Sequence, residues 1–323
     1  MKLARRQLLA FTALALAVPG AAFAQKPPIR VVVGFPPGGA TDAIARAVVD
    51  RLPDILGQPV IVENKPGAGG RIAADAVLAA PADGLTFMLA PNATPTFLTL
   101  VPGHIVRWHI LKDFTGVASI ASYPLGMGVA ANIGVTNARE FIEWVRKNPN
   151  KASYGTPGQG GQNAFLGEQL AKAAGIELPM TPYKGSPPMV TDLVGGHVPS
   201  AISLMDGLMV HHRSGRIRVI GVFTKKRSPL MPDIPTFAEQ GLDVTAGEGW
   251  TAMWAKAGTP GTEVQRMQAA VRQVLEIPEV RELMIKRLWA YPSYRSGADT
   301  EAAQRAELAY WEPIIKASGF RAQ

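Results

Sequence analysis

Short apolar runs alternate with amphipathic segments along most of the chain. Ile29–Phe35 is an apolar run typical of a buried strand, whereas Ile44, Val48 and Leu52 share one face of a helix predicted over Asp42–Leu52. The same reasoning predicts further strands at Val60–Glu63, Thr86–Leu89, Phe114–Ala121, Gly126–Ala130, Arg218–Phe223 and Trp250–Ala255. It predicts further helices in an alanine-rich segment ending at Ala80, at Asn137–Lys147, Asn163–Ala174, Met189–Leu193 and Val264–Leu275, and from Asp299 to Lys316. Strands that alternate with helices are typical of an α/β fold with parallel layers.

Two glycine-rich loops each join a predicted strand to a predicted helix. The first is Phe35–Asp42 (FPPGGATD) and the second is Tyr154–Gly161 (YGTPGQGG). A helix N-terminus carries unpaired N–H groups and a partial positive charge, so such a loop can hold an anion without a cationic side chain. Neither loop contains Arg or Lys, which favours reversible capture by neutral donors over catalysis. The alternative is that Gly and Pro simply build tight turns here.

Candidate ligand-binding residues follow from these loops. Asn92 and Thr94 join them, because they lie in a polar loop after the strand Thr86–Leu89, and ligands of α/β folds bind beyond the carboxyl ends of strands. The two glycine-rich loops contribute Phe35, Pro37, Gly38, Gly39, Ala40, Thr41, Asp42, Tyr154, Thr156, Gly158, Gly160 and Gly161.

Several residues in or outside these loops allow two interpretations. Asp42 either stabilises the first turn of its helix or orients water in a pocket. Lys184 either supplies a counter-charge to an anion or sits on a turn. Trp250, with Phe35, either walls a pocket or belongs to the core.

The N-terminal residues predict export. A basic start with Lys2, Arg5 and Arg6, a short apolar stretch and the sequence Ala22-Phe23-Ala24 are typical of a signal peptide cleaved after residue 24. The Arg5-Arg6 pair allows either a twin-arginine or an ordinary secretory signal.

Composition narrows the class of protein. With 47% hydrophobic and 18% charged residues the chain is globular, and without cysteine it depends on its core alone. Of the net charge of +8, the signal peptide supplies three charges, and the remaining basic residues are dispersed, so no nucleic-acid partner is expected.

Motifs for enzymatic chemistry are absent from the sequence. It has no Gly-x-Ser-x-Gly elbow and no phosphate-loop Gly-Lys-Ser/Thr, and its five histidines lack metal-ligand spacing. We therefore expect no enzymatic activity, no cofactor and no metal.

A set of motifs in fixed order resembles the periplasmic substrate-binding receptors of tripartite tricarboxylate transporters, the Bug-type solute-binding proteins. Each motif is weak alone, and their joint presence through the chain is specific. They are Phe35–Asp42, Gly57–Val60, Val62–Gly70, Pro81–Gly84, Tyr154–Thr156, Pro182–Gly185, Asp192–Gly196, Met231–Thr236 and Ala257–Pro260.

The resemblance implies a two-lobed, type II-like periplasmic binding protein with a ligand cleft between its lobes. Lobe 1 would comprise residues 25–122 plus 246–323, lobe 2 residues 123–245, and segments near Ser122 and Thr245 would form the hinge. A monomer would hold a small carboxylate between the two loops through backbone N–H groups and water, and deliver it to membrane permease subunits. The alternatives are a ligand-sensing receptor for a membrane signalling partner, or a periplasmic enzyme acting on a carboxylate.

The chain departs from the family pattern at three positions. The second loop usually continues with Ser and then His, where this chain has Gly161 and Ala164, and an Asp is common where it has Ser203. Ser203 is therefore a further candidate, together with Lys184. Because a buried ammonium group needs an acidic partner, we expect a ligand without a free amine, such as a dicarboxylate or an aromatic carboxylate.

Overall fold

Two mixed β-sheets with helices on both faces make up the protein. We describe them from a computed structural model that covers residues 26–103, 106–245 and 247–321. The predicted signal peptide lies outside these residues. The strands are β1 Ile29–Val33, β2 Val60–Asn64, β3 Thr86–Pro91, β4 Phe114–Tyr123, β5 Leu125–Ala130, β6 Tyr154–Thr156, β7 Met180–Pro182, β8 Ser200–Leu204, β9 Ile217–Val222, β10 Gly249–Lys256 and β11 Tyr291–Ser296.

The α-helices follow the chain in the gaps between these strands. They are α1 Ala40–Val49, α2 Leu52–Leu56, α3 Arg71–Ala79, α4 Ala93–Leu100, α5 Ile110–Asp113, α6 Ala138–Lys147, α7 Gln162–Ala174, α8 Ser186–Gly195, α9 Met205–Arg213, α10 Gly261–Glu276, α11 Pro278–Leu288 and α12 Gly297–Ser318. Among the described residues, no helix is both long and apolar enough to cross a bilayer.

The first sheet has the strand order β11-β4-β10-β3-β1-β2. Its parallel pairs are β1 with β2 and β1 with β3, whereas β10 runs antiparallel to β3 and β4, and β11 antiparallel to β4. The α/β class is confirmed, but the layers are mixed rather than parallel throughout. β4 and β10 are buried on both faces, so their continuous apolar runs cannot be told from those of parallel strands.

The second sheet has the order β7-β6-β8-β5-β9 and is also mixed, with β6 parallel to β7 and β8, and β5 antiparallel to β8 and β9. The chain passes from the first sheet to the second across a single residue, Pro124, between β4 and β5. It returns through the segment that precedes β10. The two sheets are thus joined at the point where Tyr123 and Leu125 lie.

Helix α6 forms where an apolar stripe meets a local start signal. Asn137 accepts a hydrogen bond from the Glu140 N–H (3.0 Å), while the Glu140 carboxylate accepts one from the Thr136 N–H (2.7 Å), which together stabilise the first turn. Phe141 and Val145 then face the core of the second sheet.

Helix α12 packs on the first sheet and reaches the hydrophobic core of the second. Near its start, the Glu301 carboxylate accepts a hydrogen bond from the Gly116 N–H of β4 (2.8 Å). Near its end, Trp311 is fully buried and its ring lies 5.1 Å from that of Phe97 in α4, within the hydrophobic core of the second sheet. Trp311 also packs against Phe165 of α7, with 6.4 Å between ring centroids, so α12 reaches the core of the second sheet.

Most predicted elements are present, and several further ones were not predicted. The unpredicted helices and strands include α4, α9, α11, β7, β8 and β11. β11 carries partly buried residues throughout, and β7 carries two partly buried residues and the exposed Pro182. Such edge strands give little hydrophobic signal.

A glycine in α7 is required by tight packing. A Cβ on Gly167 would overlap the ring of the buried Tyr154, whose hydroxyl donates to the Ala164 carbonyl (2.7 Å). We expect Gly167→Ala to lower the free energy of unfolding by about 1–3 kcal/mol, because overpacking outweighs the helix propensity of Ala.

Chemical denaturation followed by circular dichroism measures this change. The matched control is Gly261→Ala, at the first residue of α10, where nothing lies within 4 Å of the added Cβ. Equal stability of the two variants would show that the Tyr154 ring can move aside.

Candidate functional site

The first glycine-rich loop leads from β1 into α1, as predicted. Gly39 is the N-cap residue, with extended backbone (φ −80°, ψ 166°), and no side chain caps the helix. Among the described residues, we find no backbone acceptor for the Ala40 and Thr41 N–H groups. The first turn of α1 therefore presents unpaired main-chain donors.

Asp42 holds this loop in shape. One of its carboxylate oxygens accepts hydrogen bonds from the Gly38 N–H and from Arg46 Nε, both at 2.9 Å, and the other accepts one from Asn64 Nδ2 at 2.9 Å. Asn64 Nδ2 also donates to the Phe35 carbonyl (3.0 Å). Asp42 is only 2% exposed, so its role in the fold is structural, and the Gly38 N–H is committed to it.

These contacts govern the charge of Asp42. Burial alone would raise the pKa of its carboxyl group, but the hydrogen bonds from Arg46, the Gly38 N–H and Asn64 outweigh burial and lower that pKa. Asp42 is therefore ionised at neutral pH, and its charge is balanced by Arg46 of α1.

The second glycine-rich loop leads from β6 into α7 and resembles the first. Gly161 is the N-cap residue, again extended (φ −97°, ψ 177°) and again without a side-chain cap. Thr156 Oγ1 donates to the Gly158 carbonyl (2.8 Å), which fixes the start of the loop. In each sheet, therefore, a strand leads through a glycine-rich loop into a helix whose N-terminus has no side-chain cap.

Both loops line one cavity of about 670 Å³ between the sheets. The loops of the two sheets also approach each other closely, since a Cβ on Gly185 would lie 4.0 Å from Pro36 Cγ. The predicted site residues that line the cavity are Phe35, Gly39, Ala40, Thr41, Thr94, Gly158, Gly160, Gly161 and Lys184.

The other predicted site residues do not line the cavity. Asn92 accepts a hydrogen bond from the Trp250 N–H (3.0 Å) and so connects the end of β3 to β10. Ser203 is buried, and its hydroxyl oxygen lies 3.5 Å from that of Ser186. Trp250 itself is 4% exposed and belongs to the core. The predicted residues outside the lining are Pro37, Gly38, Asp42, Asn92, Tyr154, Thr156 and Ser203.

Several lining residues were missed by the sequence analysis. They include Arg71, Phe97, Leu98, Tyr123, Leu125, Gln159, Gln162, Asn163, Tyr183, Ser186 and Leu204. Gln162 and Asn163 directly follow the second loop, so the loop itself was the signal that could have found them. The apolar residues carry no such signal, because their pattern is that of an ordinary core.

Arg71 and Lys184 are the charged residues among the described cavity lining. Arg71 begins α3 and pairs with Asp75 (Nη1–Oδ2 3.0 Å), while Lys184 is exposed on the turn after β7. Neither glycine-rich loop contains a cationic residue, as expected, but these two cationic residues line the cavity from other segments.

A family model described as the tripartite tricarboxylate transporter family receptor matches residues 44–320. The chain belongs to this receptor family. Among its relatives, BugT of Bordetella pertussis is 31% identical over 294 residues, which span 90% of this chain and 89% of BugT. The resemblance inferred from the motifs is confirmed.

Solved structures of this receptor family agree with the fold. Periplasmic binding protein BugD superposes with a TM-score of 0.84 at 29% identity, covering 92% of this chain and 100% of BugD. R. palustris Rpa4515, solved with adipate, superposes with a TM-score of 0.84 at 31% identity, covering 90% of this chain and 97% of Rpa4515. The chain is therefore a two-lobed, periplasmic solute-binding receptor of the α/β class, and receptors of this family bind substrates rather than transform them.

The hydrogen bonds of Asp42 give a testable pH dependence. A carboxyl group whose pKa is lower in the folded than in the unfolded protein stabilises the fold above its unfolded pKa of about 4, and this stabilisation is lost as the pH falls through the folded-state value. We expect Asp42→Asn to lower the free energy of unfolding by about 1–3 kcal/mol at pH 7, with the deficit shrinking toward pH 3.

Urea denaturation at several pH values measures the deficit. Asp54→Asn, at an exposed position of α2, is the matched control and should differ little from the wild type at any pH. A deficit for Asp42→Asn that stays constant down to pH 3 would contradict the assigned role of the carboxylate.

Proposed function

We propose that this receptor captures a small carboxylate without a free amine between its two glycine-rich loops, by hinge closure, and delivers it to the membrane subunits of a tripartite tricarboxylate-type transporter. One observation carries the proposal: two uncapped helix N-termini, from α1 and α7, open onto the same cavity. Their main-chain donors and partial positive charges suit an anion. The adipate in Rpa4515 supports a carboxylate as that anion.

The proposed ligand site combines groups from both lobes. Gly39, Ala40 and Thr41 supply main-chain donors from the first loop, and the segment from Gly158 to Gly161 supplies them from the second. The ligand can contact both loops at once only when the two lobes are closed around it, so its binding favours the closed arrangement. Ordered water can complete the shell at little cost.

The proposed hinge lies where the chain crosses between the sheets. We place lobe 1 at residues 25–122 plus 246–323 and lobe 2 at residues 123–245, with the crossings near Ser122 and Thr245. The single residue between β4 and β5 supports the first crossing. At the second, the Thr245 carbonyl accepts a hydrogen bond from the Tyr310 hydroxyl of α12 (2.8 Å).

The remaining parts of the proposal concern the cellular setting. Residues 1–24 direct export and are removed, and the mature receptor acts as a monomer in the periplasm. Periplasmic BugD supports this location.

A single backbone N–H can be removed to test the anion site. Ala40 is the first residue of α1, where proline is tolerated, and the preceding Gly39 has the extended backbone that a proline requires. We expect Ala40→Pro to weaken binding of adipate and hexanoate about tenfold or more, because a charge-assisted hydrogen bond contributes about 1.5–3 kcal/mol. Isothermal titration calorimetry measures the loss.

Gly261→Pro, at the first residue of α10, makes the same change away from the cavity and should bind like the wild type. The melting temperature of each variant reports on folding. Unchanged affinity in a folded Ala40→Pro protein would show that the main-chain donor of residue 40 does not hold the acid.

Discrimination against amines follows from the lining. Among the described lining residues there is no Asp or Glu, so an ammonium group would be buried without an acidic partner. We expect glutarate and succinate to bind at least tenfold more tightly than glutamate and aspartate in calorimetry. Tighter binding of the amino acids would contradict the proposal that the ligand carries no free amine.

A further inference from the structure

The side chain of Gln162 lines the cavity at the start of α7. It follows directly after Gly161, the N-cap residue of the second glycine-rich loop. Gln162 is 3% exposed, and its side-chain nitrogen Nε2 is buried without a hydrogen-bond acceptor among the described residues. A buried donor without an acceptor costs free energy, so this nitrogen gains by binding an oxygen that enters the cavity.

The other side-chain amides of the lining differ from that of Gln162. Asn163 Nδ2 donates to the Ile202 carbonyl of β8 (2.8 Å), so it is committed to the fold. Gln159 is exposed, so water can satisfy its amide. Among the amides of the described lining, Gln162 alone combines burial with an unpartnered donor.

The amide of Gln162 can turn toward the cavity at little cost. The last side-chain torsion of a glutamine has a broad, roughly two-fold profile. Within the described part of the chain, no hydrogen bond holds Nε2 in one orientation. An oxygen in the cavity can therefore contact Nε2 without displacing an existing partner of that atom.

Main-chain donors suffice for the carboxylate of the proposed ligand. In the described ranges, the N–H groups of Ala40 and Thr41 in α1 and of Gln162 and Asn163 in α7 have no backbone acceptor. A carboxylate offers about four acceptor sites on its two oxygens. The main-chain donors match that number, so the side-chain amide of Gln162 is available for another oxygen of the ligand.

We propose that Gln162 is a specificity-determining residue, whose side-chain amide donates a hydrogen bond to a second oxygen function of the ligand, separate from the carboxylate at the glycine-rich loops. The inference rests on the proposed function, since those loops place the acid beside Gln162, and it adds the chemistry of the ligand body. That body carries an oxygen acceptor, either a hydroxyl group or a second carboxylate. An acid with a hydrocarbon body leaves Nε2 unpaired.

Matched acids of equal chain length measure this contribution in calorimetry. The parent acids are hexanoate and butanoate, and the oxygen-bearing acids are their 2-hydroxy derivatives, their terminal hydroxy derivatives, adipate and succinate. With the wild-type protein we expect at least one oxygen-bearing acid to bind at least tenfold more tightly than its parent, which corresponds to about 1.4 kcal/mol. A preferred hydroxy acid identifies a neutral oxygen as the acceptor, and a preference for diacids alone identifies a carboxylate.

Gln162→Leu separates a ligand contact from a role in the fold. Because the variant buries no unpaired donor at this position, we expect the melting temperature of the ligand-free protein to be unchanged or higher. The preference for the oxygen-bearing acid over its parent should fall at least about fivefold, because neither acid gains a hydrogen bond there. Gln162→Glu keeps the length of the side chain but lacks the donor when ionised, and it gives the same test if Gln162→Leu does not fold.

Gln169→Leu is the matched control on the same helix. Gln169 Nε2 is also buried without an acceptor among the described residues, but Gln169 does not belong to the described lining of the cavity. This variant should keep the full preference of the wild type.

The outcomes separate the two proposals. If the wild type prefers none of the oxygen-bearing acids tenfold over its parent, the inference is overturned and the carboxylate function stands. A fall of less than about fivefold in a folded variant of Gln162 would also overturn it. Failure of every acid to bind would overturn the proposed function itself.

Discussion

The arrangement of this receptor depends on a requirement of helix ends: the first N–H groups of a helix have no partner within it and must find one elsewhere. In α1 and α7 a glycine stands at the N-cap, where Ser, Thr, Asp or Asn would accept one of those hydrogen bonds. Asp42 accepts instead from Gly38, one residue before the cap, and so stabilises the loop while leaving the donors that follow it unpaired. The same groups that need an acceptor face the cavity. The proposed binding of an anion would satisfy a demand that the fold creates, and it would do so without a cation in either loop.

Much of this could be predicted from the sequence, because the loops are local features. Glycine after a buried strand and before an amphipathic helix predicts an uncapped helix N-terminus, and both were found. Which loop residues face the cavity was not predictable in the same way. Tyr154 and Asp42 lie within the loop motifs, yet Tyr154 packs against Gly167. Asp42 accepts hydrogen bonds from Gly38 of its own loop and from Arg46 and Asn64 outside it. Their roles depend on contacts with neighbouring elements, such as Asn64 of β2, that the local pattern does not contain.

The apolar side of the cavity could not be predicted for a related reason. Phe97, Leu125 and Leu204 are residues of ordinary core type, and their sequence spacing is that of a helix and two strands. They line a cavity only because the chain crosses between sheets at Pro124 and because α4 packs beside that crossing. A residue at the edge of a core and a residue in a ligand pocket obey the same hydrophobic pattern. Their distinction arises from tertiary packing, as does the antiparallel course of β4 and β10.

Helix α12 joins parts of the chain that are distant in sequence. Gln304 Nε2 donates to Thr96 Oγ1 of α4 (2.7 Å) in a fully buried contact, and Glu301 holds the N-terminal part of α12 on β4. Trp311 packs against Phe165 of α7, with 6.4 Å between ring centroids, in the core of the second sheet. Of these contacts, only the last joins the two proposed lobes, because the others lie within the residues proposed for lobe 1. A closing motion about the proposed hinge would therefore leave the first two contacts intact and act on the contact between Trp311 and Phe165.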